Sequence, residues 1–220
     1  MEGASVVVAY HRNFTAAELV AADIRAAGGR AWCVSLDMGN AADVQRAMAE
    51  VGTLTNGALD VAVLNAGQNI VTPFDNLEPE EWDAVVRTNL GGTFYLLRAV
   101  RPLLRAGSAV VTVASVAAHT GAPHHAHYAA AKAGIVNLTK SAARELAPDV
   151  RVNCVAPGLT RTAMGEDAVA GVAGDPVTKL LAGRMADPEE IARAIVFLAS
   201  PAASFVYGAT LDVNGGRDLR

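Results

Sequence analysis

The sequence is short of cysteine, of positive charge and of long apolar runs, and each shortage removes a class of protein. Its two cysteines, Cys33 and Cys154, lie far apart and form no CxxC pair, so no metal site of thiolates is expected. Both sit inside apolar runs and read as buried, reduced thiols of a cytoplasmic protein rather than as a disulfide. Lysine and arginine total 18 against 22 aspartates and glutamates, a formal net charge of −4. That balance offers no basic face to displace counterions, so a nucleic-acid partner is not expected. No apolar stretch approaches the ~20 residues of a membrane span, and no charged-then-apolar leader opens the chain, so neither a membrane partner nor a signal peptide is expected. Internal repeats, low-complexity tracts and linkers are also missing. What remains is 220 residues at 52% apolar content, enough for one domain over 1–220 with a full core.

Apolar runs alternate with helical patterns along that domain. SVVVAY (Ser5 to Tyr10) predicts a strand, and TAAELVAADIRAAGG a helix with capping-box spacing between Thr15 and Glu18 and a stop at Gly28 and Gly29. AWCVSL (Ala31 to Leu36), VAVLN (Val61 to Asn65), AVVTVA (Ala109 to Ala114), VRVNCVA (Val150 to Ala156) and TLDV (Thr210 to Val213) predict further strands. Helices are expected around Ala41 to Val51, as one long stretch from Pro79 to Arg105, over Ala126 to Leu146, and from Pro188 to Ala199. A looser, glycine-rich region spans Pro157 to Ala186. The strands are continuous apolar runs, which suits parallel strands covered on both faces, and the rhythm of strand and helix predicts an α/β, doubly wound parallel sheet of Rossmann-like form.

Chemistry concentrates after the fourth strand. Tyr128 and Lys132 are four apart in HYAAAKAG and share one helical face, a turn from each other. A free phenol titrates near ~10, and a neighbouring ammonium lowers that value, so the pair is either a proton-transfer device or an ordinary solvated face. Ser115 follows AVVTVA at the carboxyl edge, where open α/β sheets bind ligands; its hydroxyl either orients a substrate carbonyl or caps the strand end. PHHAHY brings His124, His125 and His127 together without a second ligand cluster, so they read as residues of a substrate mouth and no metal site is expected.

These motifs together resemble the short-chain dehydrogenase/reductase family. TVASV, thirteen positions from Ser115 to Tyr128, and YAAAK carry the likeness. LNAG (Leu64 to Gly67) resembles that family's NNAG, RTNL its helix asparagine at Asn89, and APGLTRTAM (Ala156 to Met164) its PG-x-x-x-T motif. GRMADPEEIARAIVFLAS and LDVNGG resemble its carboxyl-terminal third. The likeness runs from Ser5 to Gly216 and is nearest to the branch similar to 3-oxoacyl-acyl-carrier-protein reductase. It implies an NADP(H)-dependent enzyme interconverting a ketone and a secondary alcohol, as a homotetramer or dimer built on the helices of Pro79 to Arg105 and Ala126 to Leu146. It implies that Tyr128 protonates the carbonyl oxygen, Lys132 lowers the Tyr128 pKa and binds the nicotinamide ribose, Ser115 orients the carbonyl, and Asn89 holds a relay water. It places Pro157, Gly158, Thr160 and Thr162 against the nicotinamide, Asp37 at the adenine, and Asn65, Ala66 and Gly67 along the adenosine half. At the end of the first strand, Arg12 either pairs with a 2′-phosphate, favouring NADPH over NADH, or is a solvated loop arginine; NAD(H) is the other cofactor option.

One family feature is missing: the opening strand, TGxxxGxG turn and helix, roughly 27 residues at typical element lengths. Gly91-Gly92, Gly171 to Gly174 and Gly215-Gly216 are the remaining glycine clusters, and none has the spacing of a phosphate-binding turn. The family strand order 3-2-1-4-5-6 puts the missing strand in mid-sheet. Losing about five apolar side chains at ~1.5–3 kcal/mol each is expected to leave the chain marginal alone, or to make the flanking strands pair directly. Three accounts stand. In one, Met1 is internal to a longer protein. In another, the chain is a non-catalytic binding or partner subunit. In the last, the fold performs a non-redox dehydration or cyclisation with Tyr128 as acid or base.

Overall fold

A computed structural model describes residues 3–169 and 176–220; Gly171 to Gly174 lie outside the described residues. The elements run β1 (Val6–Tyr10), α1 (Phe14–Ala26), β2 (Ala31–Ser35), α2 (Ala41–Leu54), β3 (Leu59–Leu64), α3 (Pro79–Val86), α4 (Gly92–Val100), β4 (Leu104–Val113), α5 (Ala117–Thr120), α6 (Ala126–Leu146), β5 (Arg151–Pro157), α7 (Ala163–Val169), α8 (Pro188–Ala199) and β6 (Thr210–Val213). All strand pairs are parallel, as continuous apolar runs covered on both faces require.

The long helix expected from Pro79 to Arg105 is interrupted. A π-helical turn, Arg87–Gly91, separates α3 from α4, and Arg105 already belongs to β4. Such turns insert one residue into the ladder and recur at functional sites; this one carries Asn89. The start of α1 also differs from expectation. Asn13, not Thr15, caps it, its side chain accepting from the Ala16 N–H at 3.0 Å, and Thr15 falls inside the helix. Gly28, with φ +84°, ends α1 as expected. Cys33 and Cys154 are free thiols.

The strands do not form one sheet. β2 and β1 pair as a two-stranded sheet, and β3, β4, β5 and β6 pair in that order as a second. The direct pairing of β1 with β3 that was one expectation therefore does not occur: each keeps one unpaired edge among the described residues. On β3, Val61 and Val63 are 41% and 44% exposed, unusual for valines in the middle of a parallel α/β sheet. The two sheets are nevertheless held in one core. Val34 and Leu36 from β2 and its end, Ala62 and Leu64 of β3, Val110 of β4, Val44 and Val51 of α2 and Leu96 of α4 form a single cluster, with Val7 of β1 packed on it. Helices α2 and α4 span the opening and fix the sheets to each other.

Candidate active site

Parallel strands put all their carboxyl ends on one edge, and the candidate residues gather there. Asn65, Ala66 and Gly67 follow β3, Ser115 follows β4, Pro157 ends β5, and Gly158, Thr160 and Thr162 lie just beyond it. Tyr128 and Lys132 enter from α6, and Asn89 from the π-helical turn.

Asn89 is fully buried, and its amide is committed on both sides. Oδ1 accepts from the Gln68 N–H at 3.2 Å, while Nδ2 donates to the carbonyls of Gln68 and Val85, both at 2.9 Å. These bonds staple the loop after β3 to the π-helical turn. Gly67 lies flush against that staple: a Cβ there would stand 2.6 Å from Asn89 Oδ1 and 3.6 Å from Lys132 Nζ. A side chain at 67 would fill the space in front of the lysine, so the glycine keeps it open. Asn89 and Lys132 are thus neighbours across residue 67.

Lys132 is buried. Its Nζ donates to the Val113 carbonyl at 2.8 Å and stands 5.5 Å from the centre of the Tyr128 ring. Desolvation pulls its pKa down to about 8, as expected for an ammonium removed from water. Tyr128 shifts the other way. Burial raises its pKa, and a hydrogen bond with the Ser115 side chain opposes the rise. The expected lowering of the Tyr128 pKa by Lys132 is therefore not what the free site shows: desolvation of the phenol dominates. Ser115 Oγ also accepts from the Ala117 N–H at 3.2 Å, which leaves its lone hydrogen free to point toward Tyr128 or a ligand oxygen.

The remaining residues flank this centre. Gly158 packs against the backbone of Asn214, where a Cβ would stand 2.7 Å from the Asn214 Cα, so β5 and the end of β6 close together beside the site. Thr160 bridges to Ala186 in parallel fashion, and the Thr162 hydroxyl accepts from the Gly165 N–H at 3.1 Å at the start of α7. Toward β1 and β2, Asp37 Oδ1 accepts from the Gly39 N–H at 2.9 Å, and its other oxygen lies 3.8 Å from His11 Nε2. Arg12 is exposed at the end of β1. The three histidines diverge. His125 Nδ1 meets Asn69 Oδ1 at 3.0 Å, and His127 Nε2 meets Glu81 Oε1 at 3.1 Å. Among the described residues no group of three or more His, Cys, Asp or Glu side chains is placed to hold a metal ion, and no helix is long and apolar enough to cross a membrane.

Three site residues escape a reading of motifs: Gln68, which clamps Asn89 through its backbone, Glu81, and Asn69. Gln68 and Asn69 directly follow the LNAG motif, which was the available signal. Glu81 had none, because its partner His127 is distant in sequence.

Residues 1–218 match the family described as Enoyl-(Acyl carrier protein) reductase. The chain is 39% identical over 220 residues to a 3-oxoacyl-[acyl-carrier-protein] reductase of Synechocystis sp., covering 97% of this chain and 87% of that protein. It is 36% identical over 234 residues to a D-threitol dehydrogenase of Mycolicibacterium smegmatis, covering 99% and 89%. Among solved structures, it resembles a short-chain dehydrogenase of Burkholderia cenocepacia in complex with NADP, with a TM-score of 0.92, 28% identity and coverage of 99% and 89%. It also resembles a short-chain dehydrogenase/reductase of Brucella melitensis, with a TM-score of 0.86, 35% identity and coverage of 99% and 87%. The match of the whole chain, joined to a Ser115, Tyr128, Lys132 and Asn89 cluster at the carboxyl edge of a parallel sheet, places this protein in the short-chain dehydrogenase/reductase family of oxidoreductases, among the members similar to 3-oxoacyl-[acyl-carrier-protein] reductase.

Proposed function

We propose that the protein is an NADP(H)-dependent reductase that interconverts a ketone and a secondary alcohol, with Tyr128 as the proton donor. The observation that carries this is the placement of Tyr128: it stands beside the Ser115 hydroxyl, with the Lys132 Nζ 5.5 Å from its ring centre, at the carboxyl edge of the parallel strands. Burial keeps the free phenol protonated, and the nearby ammonium offsets the cost of giving up the proton. Ser115 shares its hydrogen bond with that phenol and orients the substrate oxygen. Lys132, at about 8, carries its charge at pH 7 beneath the tyrosine ring and stabilises the phenolate left after transfer. The Asn89 side chain, expected to hold a relay water, is instead spent on Gln68 and Val85 and fixes the loop beside Lys132. The nicotinamide, when bound, supplies the hydride.

The residues present fit the two ends of that cofactor. The space kept open by Gly67 in front of Lys132, with Pro157, Gly158, Thr160 and Thr162 beside it, suits the nicotinamide end. Asp37 after β2, and Asn65 and Ala66 after β3, suit the adenosine end. Arg12, exposed and free of any ion pair among the described residues, pairs with the 2′-phosphate and favours NADPH over NADH. Among the described residues no glycine-rich turn stands at the pyrophosphate end, and β1 and β3 are left unpaired with each other. These unpaired edges favour a second reading. Here the chain lacks ordinary redox activity and serves as a non-catalytic partner, or as a dehydratase or cyclase using Tyr128. A small carbonyl or alcohol is the substrate in the first reading, and the region from Thr160 to Ala186, of which 170–175 lie outside the described residues, is the one expected to shape its pocket. Exposed Trp82 on α3 and Phe94 on α4 support a homotetramer or dimer built on the Pro79 to Arg105 stretch together with α6, in the cytoplasm.

NADPH oxidation with a panel of small ketones tests the reading. Tyr128→Phe is expected to abolish turnover, and Arg12→Ala to erase the preference for NADPH over NADH. Substantial residual activity in Tyr128→Phe rejects the tyrosine as the acid. Unchanged selectivity in Arg12→Ala rejects the phosphate contact. Turnover that needs no nicotinamide selects the non-redox reading.

A further inference from the structure

We propose that Glu81 and His127 are positioning residues: a strut, buried at its histidine end, that sets the first turn of α6, and with it Tyr128, against the turn that carries Asn89. The inference rests on the reductase reading for its catalytic meaning and on geometry alone for the strut.

His127 has no exposed surface, and both its ring nitrogens are occupied. The Tyr128 backbone N–H donates to Nδ1 at 2.8 Å. A nitrogen that accepts carries no proton, so the neutral ring bears its hydrogen on Nε2. That hydrogen points at Glu81 Oε1, 3.1 Å away. The two bonds define the tautomer between them, and neither partner can rotate without losing one.

The place of the strut gives it its effect. The first amides of a helix lack intrahelical acceptors, and α6 begins at His125 with no side-chain cap, because the His125 ring is turned to Asn69. His127 supplies the acceptor that a cap would otherwise give, and it does so at the amide of Tyr128. Glu81 stands in the first turn of α3, and α3 runs directly into the π-helical turn holding Asn89. The strut thus ties the element carrying the tyrosine to the element carrying the asparagine. A backbone bond from the Thr72 N–H to the His124 carbonyl, 2.9 Å, anchors the preceding loop but leaves the tyrosine turn to His127. A displacement of about 1 Å at a reacting group costs on the order of a hundredfold in rate.

The test uses the 220-residue chain as wild type, Glu81→Gln, Glu81→Leu and His127→Asn. Two readouts are taken: NADPH oxidation with the ketone panel, and the ring-carbon NMR titration of labelled tyrosine, with Tyr128→Phe assigning the signal. Glu81→Leu is expected to lower kcat about ten- to a hundredfold with KM for NADPH unchanged within about twofold, and to move the Tyr128 titration down toward its ordinary value as water reaches the phenol. Glu81→Gln keeps an oxygen that accepts from Nε2 and is expected to retain kcat within about threefold. His127→Asn places an oxygen where Nδ1 stood, so the Tyr128 amide stays protected from hydrogen exchange while the reach to Glu81 is lost; it is expected to behave as Glu81→Leu. A wild-type titration and kcat in Glu81→Leu overturn the proposal, as does Glu81→Gln behaving like Glu81→Leu. If wild type turns over no ketone, the reductase reading fails by itself. The Tyr128 titration then decides the strut alone: moved in Glu81→Leu and His127→Asn it supports the strut, unmoved it rejects it.

Discussion

Replacing Gly67 with alanine probes the site at its tightest point. The glycine backbone is not in the left-handed region, so the change adds one methyl group and no dihedral strain. That methyl would stand 2.6 Å from Asn89 Oδ1, well inside carbon–oxygen contact, and the amide would have to retreat by about 0.5–1 Å. Asn89 cannot retreat freely. It is fully buried, and its amide makes one bond to the Gln68 N–H and two to the carbonyls of Gln68 and Val85. A shift of that size breaks two or three of them, at about 1 kcal/mol each and more where a buried group is left unpaired. The expected loss is about 2–4 kcal/mol, a large part of the ~5–15 kcal/mol that holds a domain together. Urea denaturation followed by tryptophan fluorescence measures it, and kcat is expected to fall as Lys132 loses its clearance. A stability change under about 0.5 kcal/mol with unaltered kcat would refute the account of Gly67 as the spacer of Asn89 and Lys132.

Lys132→Met is expected to remove activity yet stabilise the free chain at pH 7. Burial sets the folded pKa at about 8 against 10.5, so between those values the unfolded chain binds a proton that the folded chain does not, and wild-type stability rises with pH across that window. The gain from Lys132→Met therefore shrinks between about pH 8 and 10.5, and urea midpoints at pH 7 and 10 that differ equally from wild type would contradict it. Arg151→Met is expected to cost about 3 kcal/mol or more, because the guanidinium donates to the carbonyls of Leu198, Ala203, Ala199 and Ser200 at 2.7, 3.1, 3.2 and 3.0 Å and closes the end of α8; a melting temperature within a degree or two of wild type rejects that role. The open edges of β1 and β3 predict low stability and self-association of the 220-residue chain, to be measured by equilibrium denaturation and by sedimentation at two concentrations. A cooperative transition typical of a full domain, from a monomer, would count against it.

Much of this was legible in the chain itself. The bounds of α6, Ala126 to Leu146, and of β6 coincide with the expectation, because an apolar period and a β-branched run are local properties. The break at Arg87–Gly91 was not legible. Its residues continue a helical pattern, and the π-helical turn exists because Asn89 is drawn to the loop after β3. The start of α1 was misplaced for a related reason: Thr15 and Glu18 have the spacing of a cap, but the chain leaves β1 early enough for Asn13 to take that role.

The sequence by itself determined the strands and their parallel arrangement, since these follow from local pattern, and its motifs proposed Asn89, Ser115, Tyr128 and Lys132 as candidates. Only the tertiary structure decided that β1 and β3 leave an opening between them, that burial outweighs Lys132 in setting the Tyr128 pKa, and that Glu81 meets His127. Each of these depends on which groups lose water and which come into contact across 46 residues or more of chain, and distance and desolvation are properties of packing, not of order along the chain.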